Sequence, residues 1–204
     1  MFLKIDDLIV RRADPRDCDD LFEFLCLPDV ARYQFWSPFT REQVLQLIEG
    51  QSQIEIGDPG VAVQLVVEHR GRVIGDCQLT ITSVEDRQGE IGFSFNPRDS
   101  GQGLATRSVT ALLGLAFLAF GLHRVVAGTD TRNERCCRLL DRIGMRREAQ
   151  FRHDTFSKEE WVDSYVYAML EDEWHVRHEA VSSQLRKELG LEMPDGWGPC
   201  EEGE

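Results

Sequence analysis

No apolar run in the 204-residue chain approaches the ~20 residues that a membrane-spanning helix needs. The opening stretch Met1-Phe2-Leu3-Lys4-Ile5-Asp6-Asp7 lacks the apolar core of a signal peptide. Positive charge is scarce: 23 Lys and Arg stand against 36 Asp and Glu, a formal net charge of -13. Such a chain has no basic footprint for non-specific nucleic-acid binding. Neither nucleic acid nor membrane is therefore an expected partner. The six cysteines (Cys18, Cys26, Cys77, Cys136, Cys137, Cys200) form no CxxC pair and no regular framework. That pattern predicts reduced thiols in a cytoplasmic protein, with no disulfide scaffold and no metal site. Internal repeats, low-complexity tracts and interdomain linkers are also missing.

What is present is enough apolar residue, 42% of the chain, to bury one core. The acidic excess is concentrated at the end. From Glu171 onward there are 10 acidic and 3 basic residues, which leaves -7 of the -13 in the last 34 positions. The acidity favours solubility and weakly favours a cationic substrate. We expect an α/β body over residues 8–174. An acidic extension, 175–204, follows it, helical to about Leu189 and disordered from Pro194 to Glu204.

Along the chain, Leu8-Ile9-Val10-Arg11 predicts a strand. Asp14 is an N-cap and Pro15 the first position of a helix that Pro28 ends. The aromatic stretch Tyr33-Gln34-Phe35-Trp36-Ser37-Pro38-Phe39 reads as a loop that either lines a pocket or plugs the core. Thr40 caps a helix running from Arg41 to about Ile54. Val61–His69, Val73–Thr82 and Glu90–Asn96 then read as successive antiparallel strands. Leu104–Phe120 is apolar almost all round and predicts a buried helix, with Gly121 as its C-terminal cap. His123–Asp130 follows as a strand parallel to 90–96 through a βαβ crossover. A helix from Asn133 to Ile143, stopped by Gly144, and a hairpin of 145–152 with 161–170 complete the body.

The most informative stretch is Asn96-Pro97-Arg98-Asp99-Ser100-Gly101-Gln102-Gly103-Leu104-Ala105-Thr106. Strand, two-glycine loop and helix present backbone N–H groups and a helix N-terminus to an anion. A P-loop would need Lys after the last glycine, and Leu104 stands there. A dinucleotide site would need the loop after the first strand and an acid ~20 residues on. Here several strands precede the loop, and residues 121 to 125 carry no acid. A pyrophosphate clamp for coenzyme A is the remaining cargo.

Arg98-Asp99-Ser100-Gly101-Gln102-Gly103, continued by Leu104-Ala105-Thr106, resembles the clamp of the GNAT acetyltransferase superfamily. The closest likeness is to the branch containing ribosomal-protein alanine N-acetyltransferases. The blocks His123-Arg124-Val125, Asn133-Glu134-Arg135-Cys136-Cys137-Arg138-Leu139-Leu140, Gly144-Met145-Arg146-Arg147-Glu148 and Trp161-Val162-Asp163-Ser164-Tyr165-Val166-Tyr167 match in order. The resemblance runs from about Leu8 to Leu170, and it makes 8–174 an N-acetyltransferase domain. It implies a mixed, mostly antiparallel sheet with helices on both faces, splaying between the fourth and fifth predicted strands (90–96 and 123–130). It implies acetyl-CoA as co-substrate, held by Arg98, Ser100, Gly101, Gln102, Gly103, Leu104, Ala105 and Thr106. Pantetheine would run along Phe93, Ser94 and Phe95 toward Asn133. Three positions depart from the family. Arg107-Ser108 replace a usual Glu-Ala, and Arg107 then faces either the 3′-phosphate or solvent. Cys136 stands where the branch commonly has Ser. Leu140 stands where many relatives carry a Tyr that protonates the leaving thiolate.

Acetyl transfer needs a neutral amine, a donor for the oxyanion and a proton for the thiolate. Glu90 is the candidate base or proton relay, against a plain strand-start glutamate. A backbone N–H at or near Phe95 is the candidate oxyanion donor. Cys136 is the candidate proton donor, against a small buried residue; no histidine is placed by sequence to make it a nucleophile. Asn133 serves as helix N-cap and contacts water or pantetheine. Cys137 and His123 read as structural. Trp36, Phe39, His153 and Asp154 are candidates for the acceptor side. The function expected is direct N-acetylation of a primary amine, favoured to be a protein or peptide N-terminal α-amine. The alternatives are a small cationic amine such as a polyamine or aminoglycoside, or a non-catalytic acyl-CoA-binding module. The tail helix and final hairpin are candidate surfaces for a homodimer.

Overall fold

A computed structural model of the chain describes residues 2–54 and 57–191. The strands are β1 (Phe2–Ile5), β2 (Leu8–Arg12), β3 (Ala62–His69), β4 (Arg72–Ser83), β5 (Gln88–Phe95), β6 (Arg124–Asp130), β7 (Arg146–Ser157) and β8 (Glu160–Leu170). They form one eight-stranded sheet in the order β1-β2-β3-β4-β5-β6-β8-β7. Every neighbouring pair is antiparallel except β5 and β6, which run parallel. The helices are α1 (Cys18–Leu25), α2 (Pro28–Ala31), α3 (Arg41–Gln51), α4 (Leu104–Gly114), α5 (Glu134–Ile143), α6 (Glu171–Arg177) and α7 (Glu179–Leu189).

Alternation along the strands sends side chains to two cores. Val63, Leu65 and Val67 of β3 join α4, α5 and α7 on one face. Val66, between them, joins Leu21, Phe24 and Leu25 of α1 and Val44 and Ile48 of α3 on the other. The helices thus cover both faces, as the sequence implied. Asp14 and Thr40 cap their helices through reciprocal capping boxes with Asp17 and Gln43.

Several boundaries differ from expectation. Residues Phe2–Ile5 form a strand of their own, with Leu3 and Ile5 buried. Four residues are too few for a periodicity to show. Pro28 opens α2 rather than closing α1, because proline at a first helical position loses no hydrogen bond. The third helix stops at Gln51. The long apolar helix is regular only to Gly114, and Leu115–Ala119 winds more widely as a π-type turn. A Cβ on Gly114 would stand 2.2 Å from Leu185 and 2.8 Å from Trp174, so glycine lets α6 and α7 approach this helix.

The boundary expected at 174/175 coincides with no break in packing. Trp174 and Leu185 are fully buried and belong to the core formed with α4. Of the charge run that suggested an extension, the acidic residues from Glu171 to Glu188 lie on the two docked helices α6 and α7. The stretch expected to be disordered, Pro194 to Glu204, lies outside the described residues. Among the described residues no helix is long and apolar enough to cross a membrane.

Candidate active site

The β5-to-α4 connection is built by local rules. Asn96 is buried, and its side chain accepts from Arg98 N at 3.1 Å, starting a tight turn over Pro97–Asp99. Gly101 and Gly103 take φ of 83° and 74°, a region that favours glycine. A Cβ at either would meet nothing within 4 Å, so backbone conformation rather than space demands the glycine. Gly103 is the N-cap of α4 and supplies no side-chain acceptor, and the first turn holds no acidic residue. The first N–H groups of α4 are left to the positive end of a helix dipole, an arrangement suited to an anion.

The backbone of β5 has a free side. In an antiparallel ladder, bonded positions alternate with positions whose N–H and C=O point outward. Asn96 N–H donates to Ile74 O at 2.8 Å, one step past the Gly75↔Phe95 pair. Ser94 and Gly92 therefore bond to β4, and the polar groups of Phe95 and Phe93 point toward β6. Yet β6 pairs with β5 only over Gln88↔Arg124, Gly89↔Val125 and Glu90↔Val126. Beyond that point both strands continue, and a cavity of about 280 Å³ is lined by Glu90 to Phe93 on one side and Ala127 to Asp130 on the other.

A second cavity, of about 600 Å³, adjoins it on the side of the glycine turn and is lined there by Ser94, Phe95, Pro97, Ser100 and Ala105. The two share Arg32, Tyr33, Gln34, Phe93, Arg132, Asn133 and Cys136. Asn133 caps α5 by accepting from Cys136 N at 3.2 Å, so capping and a place on the cavity wall coexist. Burial pushes the Cys136 thiol up to about 11, opposed by its hydrogen bond with Thr129. At neutral pH it is a thiol: able to donate a proton and poor as a nucleophile. Glu90 is exposed on the smaller cavity, its Oε1 4.0 Å from where a Cβ on Gly128 would stand. Its carboxylate makes no hydrogen bond or ion pair with any described residue.

Other expected residues lie elsewhere. Arg98 pairs with Glu23 of α1 and lines neither cavity. Leu104 is buried in the core, and Gly101, Gln102 and Gly103 are exposed at the turn. Thr106 accepts from Arg142 at 3.4 Å. Arg107 faces neither a phosphate site nor bare solvent, because it bridges to Asp6 and Asp7 in the β1–β2 turn at 3.2 and 2.7 Å. Trp36 and Phe39 stack 5.1 Å apart against the α1–α3 core, outside both cavity walls. Their loop does reach the site, through Tyr33, Gln34 and Phe35. Asp154 lines the smaller cavity. His153 does not: a bulge in β7 turns it to φ 48°, its N–H donates to Asp163 at 2.9 Å, and its side chain is 70% exposed. Leu140 is fully buried, so that position offers no proton donor.

Sequence reasoning missed Arg32, Tyr33 and Arg132. The two guanidinium groups lie 5.4 and 6.0 Å from the Tyr33 ring centroid, and Arg132 is held by Asp130 and Glu160. The aromatic run was the available signal, but it does not say which rings turn inward. Behind β5 lies a buried carboxyl. Asp76 is pushed up to about 6 by burial, with hydrogen bonds from Gln64 and Ser94 opposing.

A glycine turn opening a helix without a side-chain cap, a strand edge with outward-facing N–H and C=O groups, and a protonated thiol beside it are an arrangement suited to acyl transfer. Residues 7–146 match the family model described as Acetyltransferase (GNAT) domain. The "Uncharacterized N-acetyltransferase YnaD" of Bacillus subtilis (strain 168) is 27% identical over 175 residues, covering 86% of this chain and 100% of the relative. The crystal structure of a GNAT-family acetyltransferase from Bacillus anthracis superposes with TM-score 0.75 at 28% identity, covering 85% of this chain and 100% of that one. The spermidine N-acetyltransferase from Vibrio cholerae, solved in complex with CoA and spermine, shares the fold: TM-score 0.71 at 19% identity, covering 83% and 99%. The chain belongs to the GNAT acetyltransferase family. It is an N-acetyltransferase, and the alternative of a non-catalytic module lapses.

Proposed function

We propose that the protein transfers an acetyl group directly from acetyl-CoA to a primary amine, favouring the α-amine of a peptide or protein N-terminus. The observation that carries this reading is the continuity of the two cavities. They share seven wall residues and lead from the uncapped N-terminus of α4, along the free edge of β5, to Cys136 and Glu90.

When bound, acetyl-CoA supplies an acyl group activated as a thioester. The turn at 101–106 would hold its pyrophosphate through the free N–H groups at the start of α4. The outward C=O groups of Phe93 and Phe95 would accept from pantetheine amides in the opening between β5 and β6. The Phe95 N–H or a neighbour would stabilise the charge developing on the acyl oxygen, Glu90 would take the amine's proton directly or through water, and Cys136 would give a proton to the departing sulfur.

The acceptor follows from the bases available. No histidine lines either cavity among the described residues, so carboxylates are the ready bases. An α-amine of pKa about 7.7–8.0 is already substantially neutral near pH 7.5, whereas a lysine amine near 10.4 is not. The weak base and the α-amine match. A small polyamine is the second reading, favoured by Glu90 and Asp154, which face the smaller cavity without a partner.

The test is incubation with acetyl-CoA and parallel panels of free-N-terminus peptides, the same peptides N-blocked, and polyamines. Thiol release and product mass are both followed. Release with free but not blocked peptides is expected. Turnover confined to polyamines would move the assignment to the second reading.

A further inference from the structure

One buried polar cluster lies behind the site and takes no part in proton transfer. Gln64 of β3, Asp76 of β4 and Ser94 of β5 are 9%, 6% and 8% exposed. Gln64 Nε2 donates to Asp76 Oδ2 at 2.8 Å, and Ser94 shares a hydrogen bond with Asp76. The Ser94 hydroxyl has one proton to give and an oxygen that accepts, so it can donate to Asp76 while accepting from elsewhere. It accepts from Gln34 Nε2 at 3.4 Å, and the same nitrogen donates to Phe93 O at 3.4 Å. Gln34 follows α2 and lines both cavities.

The polarity of this chain runs one way: Gln34 to Ser94 to Asp76. It holds a side-chain amide over the carbonyl of Phe93, an outward-pointing group of β5. Both bonds of Gln34 sit at the long end of the hydrogen-bond range and are readily exchanged. We propose that Gln34 stands in for a cofactor amide, held over the Phe93 carbonyl by Ser94 and Asp76 and displaced when acyl-CoA binds. Ser94 and Asp76 are then positioning residues. Gln34 is a gate on the pantetheine channel that keeps a buried-edge carbonyl satisfied between turnovers. The inference rests on the reading that pantetheine follows β5.

The experiment is calorimetric titration of wild type, Gln34→Ala, Ser94→Ala and the double variant with CoA. Adenosine 3′,5′-bisphosphate, which has no pantetheine, is titrated in parallel. Removing the competing amide should tighten CoA binding roughly five-fold in Gln34→Ala, the equivalent of one ordinary hydrogen bond. Ser94→Ala should tighten it less, and the double variant should match Gln34→Ala. Affinity for the bisphosphate should not move. Unchanged or weaker CoA binding by Gln34→Ala, or an equal change for both ligands, would overturn the gate while leaving the cofactor reading in place. A wild type that binds neither ligand would remove the cofactor reading itself. Circular dichroism and thermal melts of each variant separate these effects from misfolding.

Discussion

Replacing Asp76 with Asn should remove a pH dependence of stability that this one carboxyl imposes. Asp76 is buried, and its pKa is raised from 3.8 to about 6, chiefly by loss of hydration. A carboxyl whose folded pKa is raised binds its proton more tightly folded than unfolded. Its favourable contribution is complete below about pH 4 and is lost as pH rises through 6. The lost increment is the shift of about two units at ~1.4 kcal/mol each, or about 3 kcal/mol. Asn keeps a carbonyl for Gln64 Nε2 and puts an amide where Asp76 Oδ1 now has no partner. It has no charge to bury. Urea unfolding of both proteins, at steps from pH 4.5 to 8, gives the difference in stability at each pH, and shared titrations cancel in that difference. The variant should gain on wild type by about 2–3 kcal/mol across the range, with most of the change between pH 4.5 and 6.5. Parallel stability curves would refute the reasoning and show that Asp76 is hydrated or paired in solution.

Glu90→Gln should lower kcat/KM by about 10²-fold with little effect on CoA affinity. A kcat/KM that matches wild type would exclude Glu90 as the base. Gly103→Val forces a β-branched residue to a φ of 74°, costing about 1–2 kcal/mol of strain and turning the first α4 amides off target. Binding of CoA should fall more than about tenfold while circular dichroism stays unchanged, because the position is open to solvent. Leu185→Ala should cost about 2–5 kcal/mol in urea unfolding, since Leu185 is fully buried against the helix at Gly114. A loss under about 0.5 kcal/mol would restore α7 to a dispensable extension.

Local chemistry determined much of this protein before any fold was considered. Gly101 and Gly103 followed by an apolar helix define a turn suited to an anion, because positive φ and an uncapped helix end are properties of a few consecutive residues. Asp14 and Thr40 predicted their helix caps for the same reason, and the Asn133–Ile143 helix with its Gly144 stop was legible whole. The order of strand, helix and strand from β5 to β6 required a parallel pair. Even the choice of coenzyme A over a dinucleotide rested on the count of strands before the glycines and on the absence of an acid at residues 121 to 125.

Tertiary structure decided what those elements meet. Arg107 finds Asp6 and Asp7 a hundred positions away, and Arg98 finds Glu23 of α1. Neither partner is implied by its neighbours in sequence. Of seven residues in the aromatic loop, Tyr33, Gln34 and Phe35 turn to the cavities while Trp36 and Phe39 turn to the core. An irregular loop has no period from which a face can be read. The run from Glu171 to Leu189 looked like a charged tail because composition averages over a helix, whereas burial depends on one stripe of it. The link from Gln64 through Asp76 and Ser94 to Gln34 spans three strands and a loop. Hydrogen-bond networks of this kind depend on register between strands, and register is fixed only when the whole sheet is assembled.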